Sequence, residues 1–308
     1  MGARETRRRP QPPAGLWPSR LRRLFGSLTA AGLVWGLWAT CVETVPGQMW
    51  DGAAMEAVGG VLAPRISGYD RLLLAAVSVP TLVGLMVAAG IVALLRHRPA
   101  LACRALVVIA ASTVSTQVLK HLVLTRPDLG VTLGAPNSFP SGHVTAAATA
   151  ATALTIVVTP RLRSVVAVAG AAWTTLMGYA VVLNGWHRPS DVLAAIGVVG
   201  VWTLALAPLE EADTARRAGR FLVVAAAFIG VAGGLASVLA GIRLGVMGLA
   251  SSDAQALFAR LGEGGAAAWF LATGALCLVA AASLLLLAEV DRLRRPRART
   301  SVGAAESA

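Results

Sequence analysis

The chain has 308 residues, of which 56% are hydrophobic and 14% charged, with a formal net charge of +12 at pH 7. Soluble domains carry about 25% charged residues, so this composition excludes an ordinary soluble domain and indicates a membrane protein. The arginines stand in short clusters between long apolar windows, which is typical of membrane insertion and argues against a nucleic-acid partner.

Eight windows are apolar enough to cross a membrane, since about 20 residues in a helix span the hydrocarbon core. Backbone groups in lipid must satisfy their own hydrogen bonds, which favours helices. Two windows are less clean: Leu101–Val123 contains Arg104 and Lys120, and Ser141–Val158 contains a histidine. The windows are Leu24–Val42, Leu72–Leu95, Leu101–Val123, Ser141–Val158, Ser164–Trp186, Val192–Leu209, Phe221–Ile242 and Gly264–Ala288.

These windows predict an all-α fold, a polytopic membrane helix bundle with a six-helix core and two extra C-terminal transmembrane helices. The core covers residues 24–209, a polar cytoplasmic linker residues 210–220, and a two-helix membrane appendix residues 221–290. Residues 1–23 and 291–308 are basic and predict disordered cytoplasmic tails. Small residues in the appendix, as in GLASVLAG, favour packing against the core or against a second copy of the chain in a homo-oligomer.

The arginine clusters fall in alternate loops, and the positive-inside rule makes those loops cytoplasmic. We therefore expect a multi-pass protein of the plasma (cell) membrane with both termini inside. The outward-facing loops are then Glu43–Arg71, Leu124–Pro140, Trp186–Ser190 and Arg243–Glu263.

A polar, turn-forming stretch, PNSFPSGH, stands directly before the fourth window. Pro140 suits a helix start, and Gly142 lets a ligand approach the backbone closely. The free amides of a first helical turn bind anions, while Ser141 adds a hydroxyl and His143 a titratable proton. We interpret this stretch as an outward-facing phosphate-binding turn.

Two further clusters lie at the same predicted end of the bundle. In GWHRPSDVLAA, His187 and Asp191 are four residues apart, so the carboxylate can orient the imidazole and leave its other nitrogen nucleophilic. In KHLVLTRPD, Lys120 and Arg126 supply cations for a phosphoryl group. No dense carboxylate cluster accompanies them, so we predict no metal site and no cofactor.

Together, the K…RP, PSGH and HxxxD motifs resemble the signature of the type 2 phosphatidic acid phosphatase superfamily. The resemblance implies a six-helix phosphatase-like core and phosphate binding by Lys120, Arg126, Ser141 and Gly142. It implies that His143 protonates the leaving group and that His187, oriented by Asp191, attacks phosphorus.

Two positions depart from the family pattern. The spacing between Lys120 and Arg126 is one residue shorter than usual, which a loop can absorb. The third motif usually begins with Ser-Arg, and the corresponding residues here are Ala180 and Val181. Arg188, next to His187, is the candidate substitute for the missing cation, the alternative being an arginine that contacts lipid headgroups.

Three functions are compatible with these motifs. The first is a metal-independent phosphatase that forms a phosphohistidine and acts on a lipid phosphate, such as a polyprenyl phosphate or diphosphate, a phosphatidate-like lipid or a sugar-linked lipid phosphate. The second is a phosphotransferase with a hydroxyl acceptor at the same site. The third is a non-catalytic membrane protein that binds lipid phosphates at a degenerate site.

Overall fold

A computed structural model of the chain describes residues 16–66, 79–95, 97, 99–131, 136–159, 161–206, 217–246, 254–262 and 265–292. Every regular element within these ranges is a helix, so the predicted all-α fold class is confirmed. Two helices end in a π-helical turn, at Trp38–Val42 and at Leu119–Val123. The α-helices of the described residues are α1 (Leu16–Leu37), α2 (Val45–Ile66), α3 (Val79–Leu95), α4 (Pro99–Val118), α5 (Gly142–Val157), α6 (Arg163–Leu183), α7 (Pro189–Leu206), α8 (Arg217–Val246), α9 (Ala254–Gly262) and α10 (Ala266–Arg292).

Six helical stretches in the described part of the chain are long and apolar enough to cross a membrane, which fits the predicted polytopic bundle. They are Leu21–Val42, Pro99–Val123, Arg163–Leu183, Pro189–Leu206, Phe221–Leu244 and Ala266–Val290. Helix α5 has 16 residues and is apolar but shorter than these six. The predicted window Leu72–Leu95 lies partly outside the described residues, and its described part is the 17-residue helix α3.

The prediction of a loop over Glu43–Arg71 is wrong, because this segment contains the 22-residue helix α2. Three charged residues (Asp51, Glu56 and Arg65) interrupt this helix, so it contains no long apolar window. A helix needs only one apolar face to pack against its neighbours. On α2 that face is formed by small side chains that are at most 1% exposed: Ala53, Ala57, Val58 and Val61.

Other predicted boundaries shift because a helix does not stop where its apolar window ends. Helix α1 begins at Leu16, within the predicted tail 1–23, and α8 begins at Arg217, within the predicted linker 210–220. The predicted loop Arg243–Glu263 contains the end of α8 and the short helix α9. Most of the two predicted tails and of the predicted linker lies outside the described residues, at 1–15, 207–216 and 293–308.

The two C-terminal membrane helices, α8 and α10, pack against each other and onto the rest of the bundle. Glycines let their backbones approach closely: a Cβ added at Gly233 would lie 2.9 Å from Cys277 Cβ and 3.1 Å from the Gly274 carbonyl oxygen. Helix α10 also contacts α2, α6 and α7. The predicted appendix therefore docks on the core and shares its buried apolar cluster.

Candidate active site

The phosphate-binding turn predicted around Pro140 lies at the start of α5. The helix begins at Gly142 rather than at Pro140, because Ser141 is its N-cap: the Ser141 Oγ accepts a hydrogen bond from the Val144 N–H at 3.4 Å. The Ser141 N–H donates to the Asp191 carbonyl oxygen at 3.0 Å. This bond ties the start of α5 to the start of α7.

Gly142 is not required by the packing of the protein itself. A Cβ added there would have one neighbour within 4 Å, the Gln117 Nε2 at 3.7 Å, which is an ordinary contact. The first turn of α5 therefore presents open backbone beside His143. A bare backbone at a helix N-terminus is suited to binding an anion.

The carboxylate of Asp191 organises the start of α7. It is fully buried, and its Oδ2 accepts three hydrogen bonds: from the Ser138 hydroxyl at 2.6 Å, the Arg188 N–H at 3.0 Å and His187 Nδ1 at 3.3 Å. With Nδ1–H donating to the carboxylate, the His187 Nε2 carries the lone pair. The structure thus brings together the His187–Asp191 pair expected from the HxxxD spacing.

The two site histidines face one another. The ring centroids of His143 and His187 are 6.3 Å apart and their planes are inclined by 66°. The indole of Trp186 lies against His143, with 5.6 Å between ring centroids. At this spacing one small ligand can contact both imidazoles.

Lys120 stands in the π-helical turn that ends α4, within electrostatic range of His143. Its carbonyl oxygen, and that of Leu124, accept hydrogen bonds from the Asn137 Nδ2 at 2.9 and 2.8 Å. Asn137 therefore joins the loop that carries Lys120 and Arg126 to the PSGH loop. Asn137 lies within the PNSFPSGH stretch, but the motif does not reveal that its side chain binds the backbone near Lys120.

Arg126 is buried with unused hydrogen-bond donors. Its side chain is 2% exposed, and its Nη2 lies 4.0 Å from the Asp191 Oδ1. Among the described residues, none of its three guanidinium nitrogens has a hydrogen-bond partner. Burial, together with the neighbouring Arg188 guanidinium, lowers the pKa of Arg126 from its ordinary value. Buried donors without partners are costly, so this guanidinium is poised to bind an anion.

Arg188 occupies the same polar cluster rather than the membrane surface. It is 6% exposed, and its Nη1 donates to the Ser138 Oγ at 3.4 Å. Val181, which stands where the family usually has arginine, is fully buried in the apolar core. The Val181 carbonyl oxygen accepts hydrogen bonds from the Trp186 and His187 N–H groups at 3.0 and 3.2 Å.

Asp51 is the buried acidic residue near the site that the motif analysis missed. It lies on α2, is 4% exposed, and accepts hydrogen bonds from both the N–H and the hydroxyl of Ser190. Burial, and to a smaller extent the Asp191 carboxylate, raise the pKa of Asp51 to about 7. A lone aspartate inside a segment interpreted as a loop gave no signal of this contact.

Across the described residues, no group of three or more His, Cys, Asp or Glu side chains is arranged to hold a metal ion. Lys120 acts electrostatically on His143, while Arg126 and Arg188 contact Asp191. These three cations outnumber the two neighbouring carboxylates, Asp191 and Asp51. The arrangement is therefore suited to an anionic ligand.

A family model matches the part of the chain that carries the three motifs. Residues 101–213 match the family model of the PAP2 superfamily, and this range contains Lys120, Arg126, the PSGH turn and the His187–Asp191 pair. No curated protein and no solved structure matches the chain. The chain therefore carries a PAP2 superfamily region over residues 101–213, within a multi-helix membrane protein, and the resemblance to the type 2 phosphatidic acid phosphatase superfamily is confirmed.

Proposed function

We propose that the protein is an integral-membrane lipid phosphatase that cleaves a phosphomonoester or diphosphate through a phosphohistidine on His187. The substrate class is a lipid phosphate whose tail stays in the bilayer, such as a polyprenyl, phosphatidate-like or sugar-linked lipid phosphate. The site lies at the end of the bundle that the arginine distribution predicts to face outward. The substrate would then come from the outer leaflet.

One observation carries the proposal: the buried Arg126 guanidinium has no hydrogen-bond partner among the described residues, and it lies 4.0 Å from Asp191, the carboxylate that also binds His187 Nδ1. A phosphoryl group between the histidines would supply oxygens for these unused donors. Arg126 and Lys120 would hold the phosphoryl oxygens, and the open backbone at Gly142 would donate to a third. Donors placed where charge develops are usually the largest single contribution to such catalysis.

In the first step the His187 Nε2 lone pair attacks phosphorus. The bond between phosphorus and the lipid oxygen breaks, and His143 transfers its proton to that departing oxygen. Asp191 accepts the His187 Nδ1–H throughout, which holds the ring orientation and stabilises the charge that His187 gains.

In the second step the now neutral His143 removes a proton from water. The water oxygen attacks phosphorus, the bond between phosphorus and nitrogen breaks, and inorganic phosphate leaves. His187 and His143 return to their initial protonation states. Apart from the attacking water, groups of the chain itself supply every function in these steps, so the proposed mechanism uses no metal ion.

The test is phosphate release by the purified protein from a panel of lipid phosphates, with and without chelator. We expect release that resists chelator and that His187→Ala abolishes. Arg188→Ala is expected to lower the rate by about 10- to 100-fold, somewhat less than loss of a principal oxyanion donor. Full activity of Arg188→Ala would remove it as the substitute for the cation missing at Val181.

The same panel separates the alternatives. Activity that persists in His187→Ala would overturn the nucleophile, and a requirement for added metal would overturn the metal-free mechanism. Transfer of phosphate to a lipid or sugar hydroxyl without release would indicate a phosphotransferase. Binding of lipid phosphates without turnover would indicate a non-catalytic protein.

A further inference from the structure

Helix α2 directs two buried polar side chains at the candidate site from outside the motifs. Gln48 is 1% exposed and Asp51 is 4% exposed. Because they are three residues apart, they lie on the same face of the helix. Both belong to the segment before the family region at residues 101–213.

Gln48 holds the loop that carries Arg126. Its Nε2 donates to the Pro127 carbonyl oxygen at 3.0 Å and to the Val42 carbonyl oxygen at 2.8 Å. Pro127 directly follows Arg126 in the chain, so this bond restrains the backbone from which the guanidinium extends.

Asp51 holds the turn that carries His187. Its Oδ1 accepts the Ser190 N–H at 3.0 Å, and its Oδ2 accepts the Ser190 hydroxyl. The first amides of a helix have no partner within the helix, so Asp51 caps α7 from a neighbouring helix. Ser190 directly precedes Asp191, whose carboxylate orients the nucleophilic imidazole.

We infer that Gln48 and Asp51 are positioning residues of the phosphoryl-transfer site, which together fix the Arg126 loop against the start of α7. This inference rests on the proposed function. Neither residue contacts the phosphoryl group, and each acts through the backbone or side chain of another residue. Because both residues lie on α2, this helix sets the distance between the Arg126 loop and the start of α7.

The C-terminal helices support α2 in this position. A Cβ added at Gly52 would lie 2.8 Å from the ring of Phe258 on α9, and one added at Gly241 on α8 would lie 3.5 Å from the Trp50 ring. Helix α10 also packs along α2. Contacts with the C-terminal helices therefore keep α2 in the position where Gln48 and Asp51 reach the candidate site.

The test compares Asp51→Ala, Asp51→Asn, Ser190→Ala and the double variant Asp51→Ala/Ser190→Ala in the full-length protein. Glu56→Ala, a half-buried acid on the same helix, is the matched control. We expect Asp51→Ala to lower kcat by about 10- to 100-fold, as misplacement of a catalytic group does, with KM changed less than about threefold. Asparagine keeps an acceptor for the Ser190 N–H and should restore most of kcat, and Glu56→Ala should match the wild type.

The double variant distinguishes a shared contact from two separate effects. If Asp51 acts through Ser190, the double variant should be no slower than Asp51→Ala, because coupled residues are not additive. Additive losses would overturn that route, as would Asp51→Asn being as slow as Asp51→Ala. A raised KM at unchanged kcat would assign Asp51 to substrate binding instead.

Hydrogen exchange provides a measurement that does not depend on activity. In Asp51→Ala the amides of residues 187–191 should exchange faster than in the wild type, and they should stay protected in Glu56→Ala. Unchanged exchange with kcat within twofold of the wild type would overturn the inference. If Asp51→Ala does not fold, Gln48→Ala provides the same test at residues 125–128. A wild-type protein that releases no phosphate would overturn the proposed function and leave the exchange result standing.

Discussion

The surroundings of Arg126 favour the anion-bound protein over the anion-free protein. The Arg126 guanidinium is almost fully buried and lies beside Arg188, and none of its three nitrogens has a hydrogen-bond partner in the part of the chain that the structure describes. An arginine placed in this way costs stability in the absence of an anion. Such a cost is typical of functional sites.

This arrangement predicts opposite effects on stability and activity in Arg126→Met, which keeps the apolar stem and removes the donors. Phosphate release should fall by about 10²- to 10³-fold, the typical loss for one principal oxyanion donor. The midpoint of thermal unfolding without substrate should stay equal to that of the wild type or rise. A lower unfolding midpoint would show instead that Arg126 supports the fold through Asp191. Arg161→Met, at an exposed arginine between α5 and α6, is the control.

The raised pKa of Asp51 predicts that its contribution to folding stability falls as the pH rises. Its pKa of about 7 in the folded protein lies above the ordinary value of 3.8, so the folded state holds the proton more tightly than the unfolded state. The state that binds more protons gains from low pH. The stability that Asp51 contributes is therefore full below about pH 4 and is lost as pH rises through about 7.

Comparison with Asp51→Asn isolates this contribution, because asparagine does not titrate. The unfolding midpoint of the wild type relative to Asp51→Asn should fall between about pH 4 and pH 7. The groups that act electrostatically on or with Asp51 are Asp191, Arg188, Arg126 and Cys41. Parallel midpoints of the two proteins over this range would contradict the raised pKa.

At the level of elements, contact between α8 and α10 depends on which glycine faces the partner helix. A Cβ at Gly233 would meet Cys277 and the Gly274 backbone, whereas one at the adjacent Gly234 would have no neighbour within 4 Å. Close backbone approach at small residues is a common source of stability between membrane helices.

The same substitution at these neighbouring glycines should therefore have opposite effects. Gly233→Ala is expected to lower the free energy of unfolding by about 1–3 kcal/mol, the usual cost of overpacking. Gly234→Ala is expected to be neutral or stabilising by up to about 1 kcal/mol, since alanine has the higher helix propensity. Thermal unfolding of both variants in one detergent measures the difference. Equal midpoints would show that α8 and α10 can separate to admit the methyl group.

Helix α2 shows where prediction from the sequence fails. Windows with little or no charge identified the long apolar helices, because a helix that crosses lipid carries few charges along its length. Helix α2 packs one face of small residues on other helices and carries three charges elsewhere, so the same criterion excluded it. A helical period in its alanines and valines was the available signal, but glycines dilute it.

At the level of the whole molecule, local motifs predicted most residues of the candidate site but few of the residues that hold them in position. Lys120, Arg126, His143, His187 and Asp191 were predicted as site residues because each has a residue type and a spacing that chemistry makes rare. Ser138, Gln48 and Asp51 are common residue types, and their roles come from contacts over long separations, such as 139 residues between Asp51 and Ser190. Such contacts depend on how the bundle folds, which no short window of sequence contains.

The contacts of α2 with α9 and α10 also limit which fragments of this protein can be expressed with the site in place. A fragment limited to residues 101–213 would encode every group assigned to the chemistry, yet it would lack α2 and the C-terminal helices against which α2 rests. The proposed function and the role inferred for α2 together predict that truncation to residues 101–213 would separate the proposed reactive groups from the helices that align them.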